Sequence, residues 1–381
     1  MLQLPDWFEE ALSAATGVNL ASQKALEKIA PTVEYLSKRF MRQEDSLPKN
    51  YFSDENIRRA YLAYFFATNV LKIAPVLDEI MRSDFFTDKK SLRLLDIGTG
   101  VGTVPAGVLL WLSAHGAIQQ LDVLATDASG EVCKEALQMM DRFSQYVASP
   151  SLRFKTLPAT MFDLPKAKPG TFDMIVAQNV LVESPVFAEM LACADELLKK
   201  DGALILIEPA SRFGSRTLLS FRDVLVRSGY TIYAPCVRQA SCPALEKDSD
   251  WCHAVSSWRR PKFIRLIDDM IGSLRLSLKY SYIVALKKPL NISATFSDMP
   301  AGSLYRVVSE RIDEKGRKKF YGCGVEGRIF FEKQKRDTTD DTRAFDEAER
   351  YDLVTIQGTE PKANMQRVQK EGSVTIVKKF E

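Results

Sequence analysis

The sequence predicts an α/β protein built on a Rossmann-like parallel sheet, and three observations predict it. From Leu92 onward, short apolar runs alternate with helical stretches, the pattern of strands joined by crossover helices. The first run, 92–97, opens into Gly98-x-Gly100-x-Gly102 ahead of an apolar helix that begins near Val104. The next run, 121–126, ends against an acid, Asp127.

Taken in order, residues 1–85 read as helical, with apolar residues at helical spacing over 57–81. Tyr51, Tyr61, Tyr64, Phe65 and Phe66 are assigned to packing. Strands are expected at 92–97, 121–126, 152–156, 174–177 and 203–208, with helices between them as right-handed crossovers require. Two more, near 230–234 and 280–287, would complete a seven-stranded sheet. Between these lies a cysteine-bearing insertion too long for an ordinary hairpin loop. Beyond Pro289 the chain reads as short strands and turns, then a charged segment around 333–349; residues 373–380 fit either a strand or a tail. No internal repeat at solenoid or propeller periods is visible.

With 381 residues, the chain is long enough for a sizeable core and more than one folding unit. Apolar residues at 46% and charged residues at 27% are ordinary for a globular protein, and a net charge of +3 does not by itself argue for nucleic-acid binding. No uninterrupted apolar run approaches the roughly 18 residues that span a bilayer, so no membrane association is expected. The N-terminal segment carries Asp6, Glu9 and Glu10 early, against a secretory leader. The expected setting is cytoplasmic, where cysteines are ligands or buried thiols rather than disulfides.

The glycines let the backbone turn tightly and approach a ligand, and the following helix N-terminus offers free N–H groups. Asp96 stands just before the loop, and Asp127 fits an acid that accepts hydrogen bonds from two ribose hydroxyls. Phe172-Asp173-Met174-Ile175-Val176-Ala177-Gln178-Asn179 and the later Lys199-Lys200-Asp201-Gly202-Ala203-Leu204 follow in order. This ordered set resembles the class I methyltransferases; a nicotinamide-binding domain of similar topology is the alternative. The resemblance implies S-adenosylmethionine binding by Asp96, Gly98, Thr99, Gly100, Gly102, Asp127 and Gln178. Gln178 and Asn179 lie where a methyl acceptor approaches, but the Asn/Asp-Pro-Pro-Tyr/Phe pattern of amino-group methyltransferases is missing. Phe162 and Asp163 are candidates to border the adenine, Glu183 is read as a helix-start acid, and no catalytic base is assigned.

The insertion carries Cys236, Cys242 and Cys252 at C-x5-C-x9-C spacing, with His253 adjacent. Thiols this dense among prolines and polar residues point to a soft metal, zinc or an iron–sulfur cluster, and spacing does not choose between them. Cys323, between Gly322 and Gly324, and His253 compete as fourth ligand; unligated thiols are the alternative reading. Cys133 and Cys193, in apolar helical contexts, are read as buried structural thiols. From Arg259 to Arg336 there are 18 Lys and Arg against 8 Asp and Glu. Such asymmetry suits a phosphate-contacting face, with Arg259, Arg260, Lys262 and Arg265 in one group and Lys315, Arg317, Lys318 and Lys319 in another. Trp258 and Tyr321 interleave with them as aromatics that stack on unpaired bases.

The combination resembles the methyltransferase-like assembly factors of the mitochondrial small ribosomal subunit and their bacterial relatives. The likeness runs from about Asn50 to Lys335. It rests on Tyr51-Phe52-Ser53-Asp54, Leu95-Asp96-Ile97-Gly98-Thr99-Gly100, Ala234-Pro235-Cys236, Cys242-Pro243, Asp250-Trp251-Cys252-His253, Arg259-Arg260, Tyr280-Ser281-Tyr282, and Cys323 followed by Glu326-Gly327-Arg328. It implies a [4Fe–4S] cluster on Cys236, Cys242, Cys252 and Cys323, with zinc as runner-up. It also implies association with the small ribosomal subunit and its RNA, in the cytoplasm of a bacterium or the mitochondrial matrix of a eukaryote. The expected layout is a helical N-terminal cap (1–88), a class I methyltransferase domain (89–288) with a metal-binding insertion (234–260), and a small β-rich C-terminal module with a tail (289–381). Two other functions stay open: a non-catalytic assembly factor on a vestigial methyltransferase fold, and a small-molecule methyltransferase with structural zinc. Oligomeric state is left open.

Overall fold

The computed structural model describes residues 1–41, 51–81, 83–116, 118–160, 168–288 and 303–380. Phe162 and Asp163 lie outside the described residues. The chain divides into two compact units, one of residues 1–202 and 256–278, the other of 203–255 and 279–381.

In the first unit, helix α1 (Phe8–Thr16) stops at Gly17 in the left-handed conformation, and α2 (Gln23–Met41) follows. Helix α3 (Glu55–Ala60) starts where Asp54 accepts from the N–H groups of Asn56 and Ile57, at 2.8 and 3.3 Å, a side-chain N-cap. The helix widens into a π-helical stretch at Tyr61–Phe66 and passes through α4 (Ala67–Asn69) and a 3-10 turn at Val70–Lys72 into α5 (Ile73–Ile80). By length and composition this Glu55–Ile80 run is apolar enough to cross a bilayer, which the sequence reading did not anticipate; 83% of its most apolar stretch is buried inside the protein. Burial against other elements gives a core helix the same composition as a membrane span.

Strands β1 (Ser91–Ile97), β2 (Gln120–Asp127), β3 (Ser151–Pro158) and β4 (Phe172–Gln178) run parallel in the order β3-β2-β1-β4. Every residue of β4 is buried, as expected of a central strand covered on both faces. The crossovers include α6 (Thr103–His115) and α7 (Gly130–Ser144), and α8 (Phe187–Leu197) follows β4. Helix α6 lies close enough to the Val70–Ile73 turn that a Cβ on Gly107 would meet the Val70 carbonyl oxygen at 2.3 Å.

In the second unit, β5 (Leu198–Pro209), from Ala203 onward, pairs antiparallel with β8 (Ser277–Leu286), and β6 (Thr231–Ala234) pairs with β8. Helix α9 (Arg212–Arg227) lies between β5 and β6 in the chain, and β7 (Ala254–Ser257) follows the third insertion cysteine. The β-rich C-terminal part is a separate six-stranded sheet: β9 (Leu304–Val307), β10 (Ile312–Glu314), β11 (Arg317–Gly324), β12 (Gly327–Gln334), β13 (Leu353–Lys362) and β14 (Met365–Lys378). Residues 373–380 are thus mostly the end of a long strand rather than a tail. Val307, Phe320, Phe331, Val354, Ile356, Val368 and Val374 form this sheet's own core.

Candidate functional site

The glycine loop follows β1 directly. Asp96 is fully buried, and neither carboxylate oxygen has a hydrogen-bond partner among the described residues. Burial pushes its pKa up to about 8; Thr99 beside it pulls the other way, and the charge of Asp127 adds to the rise. The Thr99 hydroxyl and the Gln178 Oε1 are likewise buried without partners. The Gln178 amide nitrogen donates to the Asn69 carbonyl at 3.5 Å, which ties the end of β4 to the helical N-terminal residues. Gly98 has φ +68, and a Cβ there would stand 2.5 Å from Val180 Cγ2, so only glycine fits. The Gly100 N–H donates to Asp127 Oδ2 at 3.1 Å and the Ser129 N–H to Asp127 Oδ1 at 3.0 Å. Gly102 leads into α6.

All seven expected cofactor residues therefore meet at one end of β1, β2 and β4. Burying a carboxylate without a donor is costly. Three unmet polar groups around one loop suit a ligand that brings donors, such as an ammonium group. A groove of about 530 Å³ lies at the start of α7, lined in part by Ser53, Ser129, Gly130, Thr156 and Pro158.

Three residues here escaped the sequence reading. Tyr51 and Tyr61, assigned to packing, are near enough to Glu183 and Asp127 for those charges to act on them; burial first raises both phenols, followed at Tyr51 by Tyr61 and then the two acids, and at Tyr61 by the two acids. Glu183 lies in the turn after β4, well before α8 begins at Phe187, so it is not a helix-start acid. Its surroundings and the Asp127 charge raise its pKa, although its side chain remains open to solvent. Nothing local in the sequence marks these three, because the chain must fold back before residues 51–61 reach the end of β2. Asn179 adopts φ +61 at the turn, a conformation Asn tolerates better than most residues.

The second unit holds the three insertion cysteines and Cys323 of β11. Cys236, Cys242, Cys252 and Cys323 are all free and partly buried. The Cys242 N–H donates to both Asp223 oxygens at 3.1 Å, and Asp223 pairs with the buried Arg222 at 2.6 Å. The Cys252 carbonyl accepts from Ser215 at 2.6 Å and Ser281 at 2.8 Å, and its Sγ lies 3.1 Å from the Tyr351 hydroxyl. Arg216 holds the loop by donating to the carbonyls of Ala244, Lys247 and Asp250. The thiols are close enough to act on one another: Cys236 and Cys252 both raise Cys242 and Cys323, beneath a larger effect of burial. Burial pushes Cys252 up to about 11 and Cys323 up to about 12, while Arg222 opposes the rise at Cys323. Among the described residues, no three His, Cys, Asp or Glu side chains converge closely enough to hold a metal ion. The four thiols share a neighbourhood without standing at ligating spacing.

His253 sits apart in role. Burial and then Arg350 lower its pKa to about 4, and Arg350 Nη2 lies 3.4 Å from Nδ1, which leaves that nitrogen as an acceptor. Cys133 and Cys193 are buried in α7 and α8 of the first unit.

The basic groups are only partly available. Trp258 is buried and donates Nε1 to the Arg275 carbonyl at 3.0 Å, so it is not available to stack on a base. Arg260 pairs with Asp268, Lys318 with Asp346, and Lys319 with Glu314. Strand and helix packing drew these cations onto acids that lie far from them in sequence or one strand away.

A family model, Rsm22 (Mitochondrial small ribosomal subunit Rsm22), matches residues 56–352. The highly reducing polyketide synthase gloL of Glarea lozoyensis is 34% identical over 130 residues, 33% of this chain but only 5% of the synthase. Among solved structures, a putative class I S-adenosylmethionine-dependent methyltransferase from Listeria monocytogenes is 11% identical, covers 74% of this chain and 87% of its own, and has a TM-score of 0.39. An S-adenosylmethionine-dependent methyltransferase from Aquifex aeolicus is 13% identical, covers 57% and 90%, and has a TM-score of 0.34. The family match spans most of the chain, and the chain belongs to the Rsm22 family of the mitochondrial small ribosomal subunit.

Proposed function

We propose that this is an S-adenosylmethionine-binding, methyltransferase-like protein that acts on or at the RNA of the small ribosomal subunit and carries a [4Fe–4S] cluster. The observation that carries the cofactor reading is the buried, unpartnered Asp96 carboxylate, flanked by the unpartnered Thr99 and Gln178 oxygens. Asp96 and Gln178 suit the amino-acid portion of the cofactor, and Asp127 retains lone pairs for ribose hydroxyls after accepting from Gly100 and Ser129. When bound, the cofactor supplies an electrophilic methyl on a sulfonium. The chain's own part is to bind, orient and exclude water, with the helical residues Tyr51 and Tyr61 as the cover.

The cluster reading rests on the resemblance and on four free, partly buried thiols gathered in one neighbourhood, with burial raising the Cys242, Cys252 and Cys323 thiols. Burial penalises thiolates, and a cluster would neutralise them. Cys236, Cys242, Cys252 and Cys323 would be its ligands, joining the insertion to the β-rich module; zinc is the runner-up. The ribosomal partner rests on the family, which also supports a mitochondrial or ribosome-associated location.

A non-catalytic assembly factor is the second reading. The observation that favours it is the turn after β4, where Gln178 and the left-handed Asn179 stand in place of an Asn/Asp-Pro-Pro clamp for a planar nitrogen.

Two measurements on anaerobically purified protein test the proposal: iron, sulfide and zinc content, and calorimetric titration with S-adenosylmethionine. About four iron per chain together with saturable cofactor binding is the expected result. Zinc without iron overturns the cluster; absence of cofactor binding by a folded chain overturns the methyltransferase-like reading.

A further inference from the structure

The C-terminal sheet closes on itself. β9 pairs with both β11 and β13, so β9-β11-β12-β14-β13 returns to β9 as a five-stranded ring. The β12–β14 pair is parallel, and the other pairs are antiparallel. Counted along the chain with β10 as a short extension, the ring order is first, second, third, fifth, fourth. The short helix Ala344–Glu347 falls between the third and fourth strands, and its Phe345 joins the barrel core. This is the connectivity of the OB-fold, a small barrel whose second and third strands, with the first–second and fourth–fifth loops, form a ligand face.

The chemistry on that face is specific. Strand alternation sends Phe320 and Phe331 inward and leaves Tyr321 and Phe330 outward, directly opposite each other in the β11–β12 register. Their rings stack at 4.4 Å, and Tyr321 remains 36% exposed. The Arg328 guanidinium lies 5.2 Å from the Tyr321 ring centre. Toward the other end of the strands, one buried carboxylate, Glu332, serves three cations: Arg317 at 3.2 Å, Lys362 at 3.0 Å and Arg367 at 3.0 Å. Arg317 follows the first–second loop, and Lys362 precedes the fourth–fifth turn. Lys335, whose N–H donates to the Gly316 carbonyl, and the 81% exposed side chain of Arg336 extend this basic edge. Glu314 and Glu360 also border it, and Lys335 and Arg336 each have an acid at 3.9 Å, Asp313 and Asp337, so the edge is mixed in sign.

We propose that the outer face of β11 and β12 binds single-stranded RNA, with a base stacked on Tyr321 and phosphates along the Arg317, Lys362 and Arg336 edge. An exposed aromatic pair needs an unpaired base, which favours a single strand over a duplex. Arg317, Lys362 and the largely exposed Arg336, spaced along one edge, suit phosphates better than the neutral oligosaccharides that such barrels also hold. Cys323 lies on the same outer face, two residues from Tyr321, so the thiol neighbourhood and the RNA face are continuous. This inference deepens the RNA reading above and names its surface.

The test uses the full chain and a fluorescently labelled oligouridylate of about twelve nucleotides, a length OB-folds accommodate, followed by anisotropy; the same strand annealed to its complement is the comparison. Wild type binds the single strand more tightly than the duplex. Tyr321→Ala weakens single-strand binding about tenfold or more, the scale of one lost base stack, and Tyr321→Trp restores it. Lys335→Glu with Arg336→Glu, both at exposed positions, weakens binding and flattens its salt dependence. Unchanged thermal midpoints show that the variants fold. Wild-type binding that Tyr321→Ala leaves intact, or equal affinity for duplex, overturns the barrel face while the RNA partner stands. No binding of the single strand by wild type overturns both, and leaves cofactor binding to be judged on its own.

Discussion

The backbone N–H of Gly100 donates to Asp127 Oδ2 at 3.1 Å, so the acid at the end of β2 is fastened to the middle of the glycine loop. The other oxygen of Asp127 accepts from Ser129, which in turn caps α7. One carboxylate thus sets the loop, the strand end and the next helix start before any ligand arrives. Asp127→Ala leaves two N–H groups without their acceptor. We expect a loss of about 1–3 kcal/mol in unfolding free energy, read by urea denaturation, together with loss of S-adenosylmethionine binding. A variant as stable as wild type would show that water replaces the carboxylate.

Asp96 predicts an opposition between stability and binding. Its folded pKa of about 8 lies far above the ordinary 3.8, so the folded chain holds a proton that the unfolded chain releases. The associated stability is present at low pH and is lost as pH rises through about 8. The cofactor-free protein's melting temperature should therefore fall from about pH 4 to about pH 8 and level off above it, and Asp96→Asn should flatten that fall. The same variant should lose cofactor affinity by at least about tenfold, the worth of a charge-assisted hydrogen bond. Scanning fluorimetry across pH and calorimetric titration read the two effects separately.

Lys72 carries the opposite sign. It is buried, and burial with Arg275 nearby lowers its pKa from 10.5 to about 7. The unfolded chain then binds the extra proton, and stability rises with pH from about 7 to 10.5. Lys72→Met fills the same space without the charge. It should raise the melting temperature at pH 7 by about 2–4 °C, the shift that about 1 kcal/mol produces in a unit of this size, and should remove that rise with pH. A lower melting temperature would mean that the ammonium group holds a structural contact.

Glu332 stabilises the barrel by serving Arg317, Lys362 and Arg367 at once while fully buried. Glu332→Ala leaves three partly solvent-exposed cations without their common acceptor, and the expected loss is about 1–3 kcal/mol. Chemical denaturation should show the barrel unfolding early. Glu332→Gln keeps the shape and accepts with one oxygen, so a smaller loss is expected. Equal losses for the two variants would point to packing rather than charge.

The parallel strands, the glycine loop and its flanking acids were legible because each depends on local pattern. Apolar runs interrupted by helical stretches select a parallel sheet, and glycine alone tolerates φ +68 with a neighbour 2.5 Å away at Gly98. The cysteine spacing likewise singled out Cys236, Cys242 and Cys252, although not how the thiols stand relative to one another. Tertiary structure decided what depends on residues distant in the chain: that Tyr51 and Tyr61 reach Asp127 and Glu183, and that Trp258 is buried instead of stacking. Only β9 pairing with both β11 and β13 closes the C-terminal strands into a ring. Period and propensity record which face of a segment is buried. They do not record the partner that buries it, and that choice is made by packing and strand pairing across the whole unit.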